Sequence, residues 1–352
     1  MGKHILHSAF CILHYISLAY AADDLSADRA CLSQCHGQFE REVTLRGRSA
    51  SYVDVAQLRS SVHQQLACLD CHRDITKVPH GEDIAPVKCV NCHYKGNPRR
   101  APGGEEYRDY IESVHAQMGQ DGEKRPGCTD CHGVHGILSP QDAQSPTHKA
   151  HVPETCGKCH TEIFEEYATS VHGKALLWDG ILESPNCADC HGVHRILSPK
   201  DVQSPVHPTH VSQTCATCHQ AVEIVGKYGI ATERVSTYQQ SFHGLANKYG
   251  VKAVANCATC HGVHNILPSS EPTSTIHPSN IRQTCGQEGC HPDAIEAFSR
   301  GPVHLGAVNP PPVVNWVRVG YTALIIIVIG GMVLHNILDY INTHRRRRHG
   351  GA

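Results

Sequence analysis

The sequence predicts a chain made mostly of short α-helices and loops, with little β-sheet, that ends in one transmembrane helix. Helical character is confined to a few stretches, residues 105–116, 161–172 and 231–248, and Pro and Gly dominate between them. Large apolar side chains are scarce, with five Phe and two Trp in 352 residues. A chain of this length normally buries a sizeable apolar core, so something other than aromatic side chains must fill this one.

Residues 1–22 are predicted to be a secretory signal peptide. Lys3 precedes an apolar stretch, which is followed by small residues around Ala21. Because His7 and His14 interrupt the apolar stretch, an uncleaved N-terminal anchor is the alternative. Secretion agrees with the use of cysteine in the rest of the chain.

All but one of the 19 cysteines form close pairs, and each pair is followed at once by His. Seven pairs have the strict C-x-x-C-H spacing, whereas the first pair has three intervening residues and the last has four. The remaining cysteine, Cys11, lies in the predicted signal peptide. The paired cysteines are Cys31, Cys35, Cys68, Cys71, Cys89, Cys92, Cys128, Cys131, Cys156, Cys159, Cys187, Cys190, Cys215, Cys218, Cys257, Cys260, Cys285 and Cys290. The motif histidines that follow them are His36, His72, His93, His132, His160, His191, His219, His261 and His291.

The C-x-x-C-H motif is typical of covalent haem attachment. Its two thiols bond to the vinyl groups of one haem, and the motif histidine becomes the proximal iron ligand. The extra residues of the two stretched motifs are expected to loop out. The sequence therefore predicts nine c-type haems that fill the interior, with short helices and loops wrapped around them.

Three other uses of the cysteines fit less well. A disulfide framework suits a secreted chain, but it does not explain a His after every pair. Structural zinc needs four ligands in a tetrahedron, which tandem Cys-Cys-His units do not supply. Thioredoxin-like chemistry needs one motif on a βαβ unit, and the sequence does not predict one.

The chain repeats internally. Three copies of one module run over residues 113–160, 170–219 and 241–291. Each copy contains Ser-x-His, then C-x-x-C-H-Gly-Val-His, then Ile-Leu and Pro, and finally a second cysteine motif. The first cysteines of the two motifs are 28 residues apart in every copy. Residues 23–105 are thus predicted to be a three-haem N-terminal region, and residues 106–305 three two-haem modules.

The sixth iron ligand distinguishes an electron carrier from an enzyme. Apart from Met1, only Met118 and Met332 could give a thioether ligand, so histidine is expected on both sides of nearly every iron. Recurrent positions give nine candidate distal histidines. These are His63, His115, His172, His243 and, more loosely, His304 in Ser-x-His positions, His135, His194 and His264 after C-H-Gly-Val, and His80 after Pro79.

Five further histidines are expected beside the haems or at the surface, namely His148, His151, His207, His210 and His277. Three of them, His148, His207 and His277, recur at equivalent module positions, so they stay open as alternative ligands. Two His ligands on every iron would leave no open site and would favour low potentials. No catalytic residue is predicted.

Residues 319–341 are predicted to be a transmembrane helix, after a Pro-rich linker at 306–318 and before a basic cytoplasmic tail at 342–352. The apolar run from Val319 to Leu338 is long enough to cross about 30 Å of hydrocarbon. The four arginines at Arg345–Arg348 indicate a cytoplasmic end, and a solvated or nucleic-acid-binding tail is the alternative. The expected location is the cell inner (cytoplasmic) membrane, crossed once, with the haem region in the periplasm.

The runs Ser61-Val62-His63 to His93 and Ser170-Val171-His172 to His194 resemble multihaem cytochromes c of the cytochrome c3/c554-like group. The resemblance covers about residues 28–305. It implies a bis-His electron-transfer protein of anaerobic respiration rather than an enzyme. The span around His335 is similar to a helix that leads into a b-type cytochrome domain in some relatives.

That second resemblance implies a separate membrane cytochrome b or quinol-oxidising subunit as partner. His335 is a candidate ligand of a haem b shared with that partner, because ionisable groups in a span tend to be functional. The alternative is that His335, near the cytoplasmic end, forms a hydrogen bond at the membrane interface. We expect a membrane-anchored nonahaem subunit of a quinol dehydrogenase complex that transfers electrons to periplasmic or extracellular acceptors, including outer-membrane cytochromes.

The net charge of −2 does not suggest a nucleic-acid partner. The alternatives are a reductase of a small nitrogen or sulfur oxyanion with one open haem, most readily at a stretched motif, and an electron store, which would not need the span.

Overall fold

The computed structural model of the protein describes residues 31–32, 36–37, 44–45, 48–49, 52–78, 80–81, 83–98, 101–118, 125–299, 304 and 312–349. The predicted signal peptide, Cys11, Cys35 and Pro79 lie outside these residues. The described residues fall into two compact units. The first comprises those up to His210 together with His261–His277, and the second comprises Val211–Cys260 together with those from Pro278 onward.

The predicted fold class is confirmed, because the described residues form short helices joined by loops. Two-residue strands, β1 (Thr44–Leu45) and β2 (Arg48–Ser49), pair antiparallel. The helices up to residue 191 are α1 Val55–Ser60, α2 Cys68–Cys71, α3 Glu106–Glu112, α4 Val114–Gln117, α5 Cys128–His132, α6 Val152–Gly157, α7 Thr161–Thr169, α8 Val171–Leu177 and α9 Cys187–His191, with a 3-10 turn at Cys89–Asn91. The later helices are α10 Val211–His219, α11 Val222–Val225, α12 Glu233–Gln240, α13 Phe242–Lys248, α14 Cys257–His261, α15 Ile281–Cys285, α16 Glu296–Ser299 and α17 Pro312–His349, with a 3-10 turn at Gly226–Tyr228.

Each of the three predicted helical stretches is two helices that meet at a serine, Ser113, Ser170 or Ser241. The serine has extended backbone angles, with ψ between 157° and 165°. Its hydroxyl accepts a hydrogen bond from an amide of the second helix, as an N-cap does. Since the same hydroxyl donates to a carbonyl of the first helix, the serine holds the two helices together at a fixed bend.

A tyrosine three residues before each of these serines ties the first helix to the following cysteine motif. The hydroxyls of Tyr110 and Tyr167 donate to the carbonyls of Pro126 and Pro185, at 2.6 Å and 2.8 Å. Tyr238 donates in the same way to a carbonyl, that of Ala255, at 3.1 Å. Burial raises the pKa of Tyr238 to about 12, so the hydroxyl stays protonated and able to donate.

Few large apolar side chains are buried among the described residues. The buried apolar residues are Tyr167, Leu176, Leu197, Ala216, Val225, Val235 and Tyr238. Such a set is small for a chain of this length, in keeping with an interior that prosthetic groups fill.

Helix α17 has the length and composition of a membrane span, and an 18-residue window within Pro312–Arg345 has a mean hydropathy of 2.1. It is the one such helix among the described residues. It begins inside the predicted linker and continues past residue 341, so it is longer at both ends than the predicted span. Pro312 suits this start because proline fits the first turn of a helix, where no amide donor is needed.

Candidate haem-binding sites

The cysteine motifs that open a module begin short helices, and the residue before the second cysteine closes the turn. Asp70, Asp130 and Asp189 accept hydrogen bonds of 3.0, 2.7 and 2.8 Å from the amide three residues earlier. Thr259 takes this place in the third module and accepts from Asn256 at 3.2 Å. The bond holds both cysteines on one helical turn, which is the arrangement that a single haem edge requires. All cysteines within the described residues have free thiols.

A glycine follows the motif histidine in three of these motifs and turns the chain back. Gly133, Gly192 and Gly262 have φ of 76°, 83° and 84°. Residues with a side chain rarely adopt a positive φ, so glycine is needed here. The turn lets a second histidine follow within three residues and point to a different partner.

Seven motif histidines lie opposite a candidate distal histidine, at ring-centroid distances of 5.9 to 6.4 Å and at interplanar angles from 3° to 72°. The pairs are His36–His80, His93–His63, His72–His135, His160–His115, His132–His194, His191–His264 and His291–His243. Both stretched motifs take part, through His36 and His291. Each pair is one motif histidine with one candidate from the predicted set.

The spacing of these pairs fits an iron atom between the two rings. A metal–nitrogen bond of about 2 Å and roughly 1.1 Å from that nitrogen to its ring centroid place two opposed imidazole centroids about 6 Å apart. Burial, followed by the facing histidine, lowers the pKa of His63, His115, His132 and His191. A lowered pKa keeps the ring neutral, which is the form that binds a metal.

Six of the seven pairs, all except His36–His80, follow one rule that the sequence did not reveal. The second motif histidine of a module faces the Ser-x-His residue of the same module, as in His160–His115. The first motif histidine faces the residue after C-H-Gly-Val in the next module, as in His132–His194. The N-terminal region follows the same rule through His93–His63 and His72–His135. Its second and third motifs therefore behave as a shortened module.

Four predicted ligands, His172, His219, His261 and His304, do not belong to these seven pairs. Each has contacts of its own, and their roles remain predictions. The Nδ1 atom of His304 lies 3.2 Å from the Thr237 hydroxyl, and burial lowers the pKa of His304.

Hydrogen bonds to the backbone occupy several of the remaining histidines. The Nδ1 atoms of His148 and His207 accept from the amides two residues later, at 3.3 Å. An accepting Nδ1 leaves the proton on Nε2, so these rings are poor ligands through Nε2. His151 and His210 donate to carbonyls at 3.0 Å. His277 also has contacts, and no pairing is assigned to it.

Thiols touch where one module meets the next. A side-chain hydrogen bond joins Cys89 to Cys128, the first cysteines of consecutive motifs, and another joins Cys156 to Cys187. The bond stabilises one thiolate of each pair, and it lowers the pKa of Cys128 to about 6. The haem-attachment points of consecutive modules are thereby adjacent.

The sites are supported by the helices, by the buried serines and the tyrosines of the helix pairs, and by the aspartates of the cysteine motifs. We did not predict these roles from the sequence. The recurring Ser and Ile of the module pattern were a usable signal, since both recur at fixed distances from a ligand. No group of three or more His, Cys, Asp or Glu arranged for a bare metal ion is found among the described residues.

Comparisons with known proteins agree with this arrangement. The model of the doubled CXXCH motif family matches residues 118–164, which contain both motifs of the first module. The multiheme cytochrome MtrA of Shewanella baltica is 29 % identical over 118 residues, covering 29 % of this chain and 34 % of MtrA. The cytochrome c-type protein NrfB of Escherichia coli is 28 % identical over 141 residues, covering 37 % of this chain and 66 % of NrfB.

The chain thus spans about one third of the first relative and just under two thirds of the second. No solved structure matches the chain significantly. The paired motifs and the two relatives together support a multihaem c-type cytochrome that transfers electrons.

Proposed function

We propose that the protein is a membrane-anchored cytochrome that binds nine c-type haems and passes electrons between a quinol-oxidising or cytochrome b partner and periplasmic or extracellular acceptors in anaerobic respiration. The observation that carries this proposal is the set of seven histidine pairs spaced for iron, from His36–His80 to His291–His243. The nine motifs supply one attachment site for each haem.

Bound haem supplies one-electron Fe(II)/Fe(III) chemistry. The chain's own part is to hold each haem by two thioethers and to place an imidazole on both sides of the iron. Two imidazole ligands exclude a substrate from the metal and so favour electron transfer over catalysis. The reductase alternative relied on the stretched motifs, but His36 and His291 each face another histidine, so no observation favours it.

Contacts between consecutive motifs support a continuous path for electrons. The loops that carry the two distal histidines of the first module are hydrogen-bonded to each other at Val114–Ile196, and the cysteines of neighbouring modules are in contact, as at Cys156–Cys187. Along the chain, a contact between the two ligand loops of the first module is therefore followed by a contact between the cysteines of neighbouring modules. Such a series suits transfer along the chain better than isolated storage sites.

Helix α17, at the membrane end of the chain, has an exposed surface. Helix α17 carries His335, with Gly331 and Asp339 one turn away on either side, and all three residues are exposed. Ionisable groups in a span tend to serve a function. We propose that this face contacts the membrane partner and that His335 ligates a haem b shared with it, with the basic tail in the cytoplasm and the haem region in the periplasm.

Two measurements test the carrier function. The intact mass of the mature protein counts the attached haems, and nine are expected. EPR of the oxidised protein should show low-spin iron, and the reduced protein should bind no stoichiometric CO. A stoichiometric high-spin signal or CO adduct in the wild type would contradict a pure carrier.

The membrane partner is tested separately. Reduction of the haems by a quinol analogue should occur in membranes that contain the full chain. It should be lost when the chain is cut before Pro312, although the cut protein still binds its haems. Equal reduction of both forms would show that the span does not bring the haems to the quinol-oxidising partner.

A further inference from the structure

The loops that carry two different distal histidines are hydrogen-bonded to each other. The amide of Val114, beside His115, donates to the carbonyl of Ile196, two residues after His194, at 2.8 Å. Next to this bond, the Glu112 carboxylate and the Arg195 guanidinium form an ion pair at 2.7 Å. We call the contact between residues 112–115 and 194–196 the ligand clamp of the first module.

The same contact occurs at two other places in the first unit. The amide of Val62 donates to the Ile137 carbonyl at 2.8 Å, and the Ser61 hydroxyl reaches the same carbonyl at 3.1 Å. The amide of Val171 donates to the Ile266 carbonyl at 2.9 Å. The same hydrogen bond occurs three times, each time beside a candidate ligand. This recurrence indicates that the bond is a structural feature of the repeat.

Two of these contacts, in the first module and in the N-terminal region, join ligands that face different motif histidines. His115 faces His160, whereas His194 faces His132. The N-terminal clamp likewise joins His63, which faces His93, to His135, which faces His72. One hydrogen bond therefore fixes the distance between the distal ligands of two haems.

We propose that the ligand clamp couples the axial ligation of the two haems of a module, so that opening it loosens both distal histidines together. Residues Val114 and Ile196 are positioning residues here, because they act through their neighbours and do not touch iron. The serine before the clamp, Ser113, is completely buried and caps helix α4. The loop can therefore shift only as a unit with its histidine. This inference rests on the proposed bis-His function.

The third module supplies a natural comparison. Phe242 stands where Val114 stands in the first module, and among the described residues its amide donates to no carbonyl. No further module follows to offer one. Phe242 is 81 % exposed, whereas Val171 at the same position in the second module is 37 % exposed.

The decisive variant is Val114→Pro. Ser113 already has the extended backbone that precedes proline, and Val114 is the first residue of its helix, so the backbone tolerates the ring. Proline has no amide hydrogen to donate to the Ile196 carbonyl. Its ring carbon, bonded to the nitrogen, points at that carbonyl instead and pushes the two loops apart, which opens the clamp. We expect about two CO molecules bound per reduced protein, against none in the wild type, with all haems still attached by mass.

Three controls define the result. Val114→Ala keeps the amide and should bind no CO, and Phe242→Pro should also bind none because its amide donates to no carbonyl of the described residues. His115→Ala removes one ligand directly and should bind about one CO per protein. Val114→Pro with full haem content and one CO or none would overturn the coupling.

If Val114→Pro loses haem or fails to fold, Glu112→Gln decides instead. It weakens the ion-pair half of the clamp and leaves every ligand and cysteine in place. Coupling predicts that the EPR signals of two haems shift together, and a shift of one haem or none overturns it. A wild type that binds CO would contradict the proposed function, whereas failure of the variants alone would contradict only the clamp.

Discussion

The first and third modules share their sequence pattern but differ in what lies against their Ser-x-His turns. In the first module, Val114 beside the turn is bonded to the loop of the next module at 2.8 Å. In the third module, no copy follows, and Phe242 is largely exposed. A repeat therefore does not give each copy the same surroundings, because the Ser-x-His turns of the first and second modules are bonded to the following module, whereas no such bond is found for the third among the described residues.

Removal of a haem should have the largest effect on the difference between the first and third modules. Replacing Cys187 and Cys190 by Ala removes the first of the two haems of the second module, and should cost on the order of 10 kcal/mol of folding free energy, as for structural metal sites. Because Ile196 joins that module to the first, limited proteolysis followed by mass spectrometry should find new cleavage within residues 113–160. The same change at Cys257 and Cys260 should leave residues 113–160 protected. Equal cleavage in both variants would contradict a dependence of the first module on the second.

The origin of a distal ligand can be tested next. His194→Ala should open the iron held by His132, in the preceding module, and about one CO per reduced protein should bind. The CO adduct should disappear when Cys128 and Cys131 are also replaced by Ala, because the haem concerned is then absent. Persistence of the adduct would show that His194 serves another haem.

The glycine turn sharpens the comparison, since it is common to the modules. Gly192 has φ 83° and ψ 179°, a conformation almost restricted to glycine, so Gly192→Ala should lower the free energy of unfolding by about 1–3 kcal/mol. Gly262→Ala in the third module should cost the same. Gly226, with φ −62°, is the matched control, and Gly226→Ala should be neutral or slightly stabilising in thermal unfolding.

The tyrosine tie should give the smallest effect. Tyr167→Phe and Tyr238→Phe each remove a hydrogen bond to a carbonyl and leave the ring, so each should cost about 1 kcal/mol. Tyr249 is 81 % exposed, and Tyr249→Phe should change the unfolding temperature little. A much larger loss for one tie than for the other would show that the two modules differ in more than their clamps.

Short-range features were predictable from the sequence. The cysteine motifs, the module repeat, the scarcity of apolar core and the long C-terminal helix all depend on residues close together in the chain. The candidate histidines came from the same patterns, and the structure brings seven motif histidines against seven of these candidates. The break at Ser113 was harder to predict, because helical periodicity continues across it on both sides.

The sequence by itself determined which residues can hold a haem, and only the tertiary structure decided which two act together. His132 and His194, for example, meet across two modules. Many histidines recur at fixed module positions, so spacing alone could not choose between His194 and residues such as His148. The structure distinguishes them by contacts made elsewhere in the chain: His194 faces His132 beside the Val114–Ile196 bond, whereas Nδ1 of His148 accepts a hydrogen bond from the amide of Ala150. The contacts of His194 and Val114 join residues far apart in the chain, and they form only when the modules pack against one another.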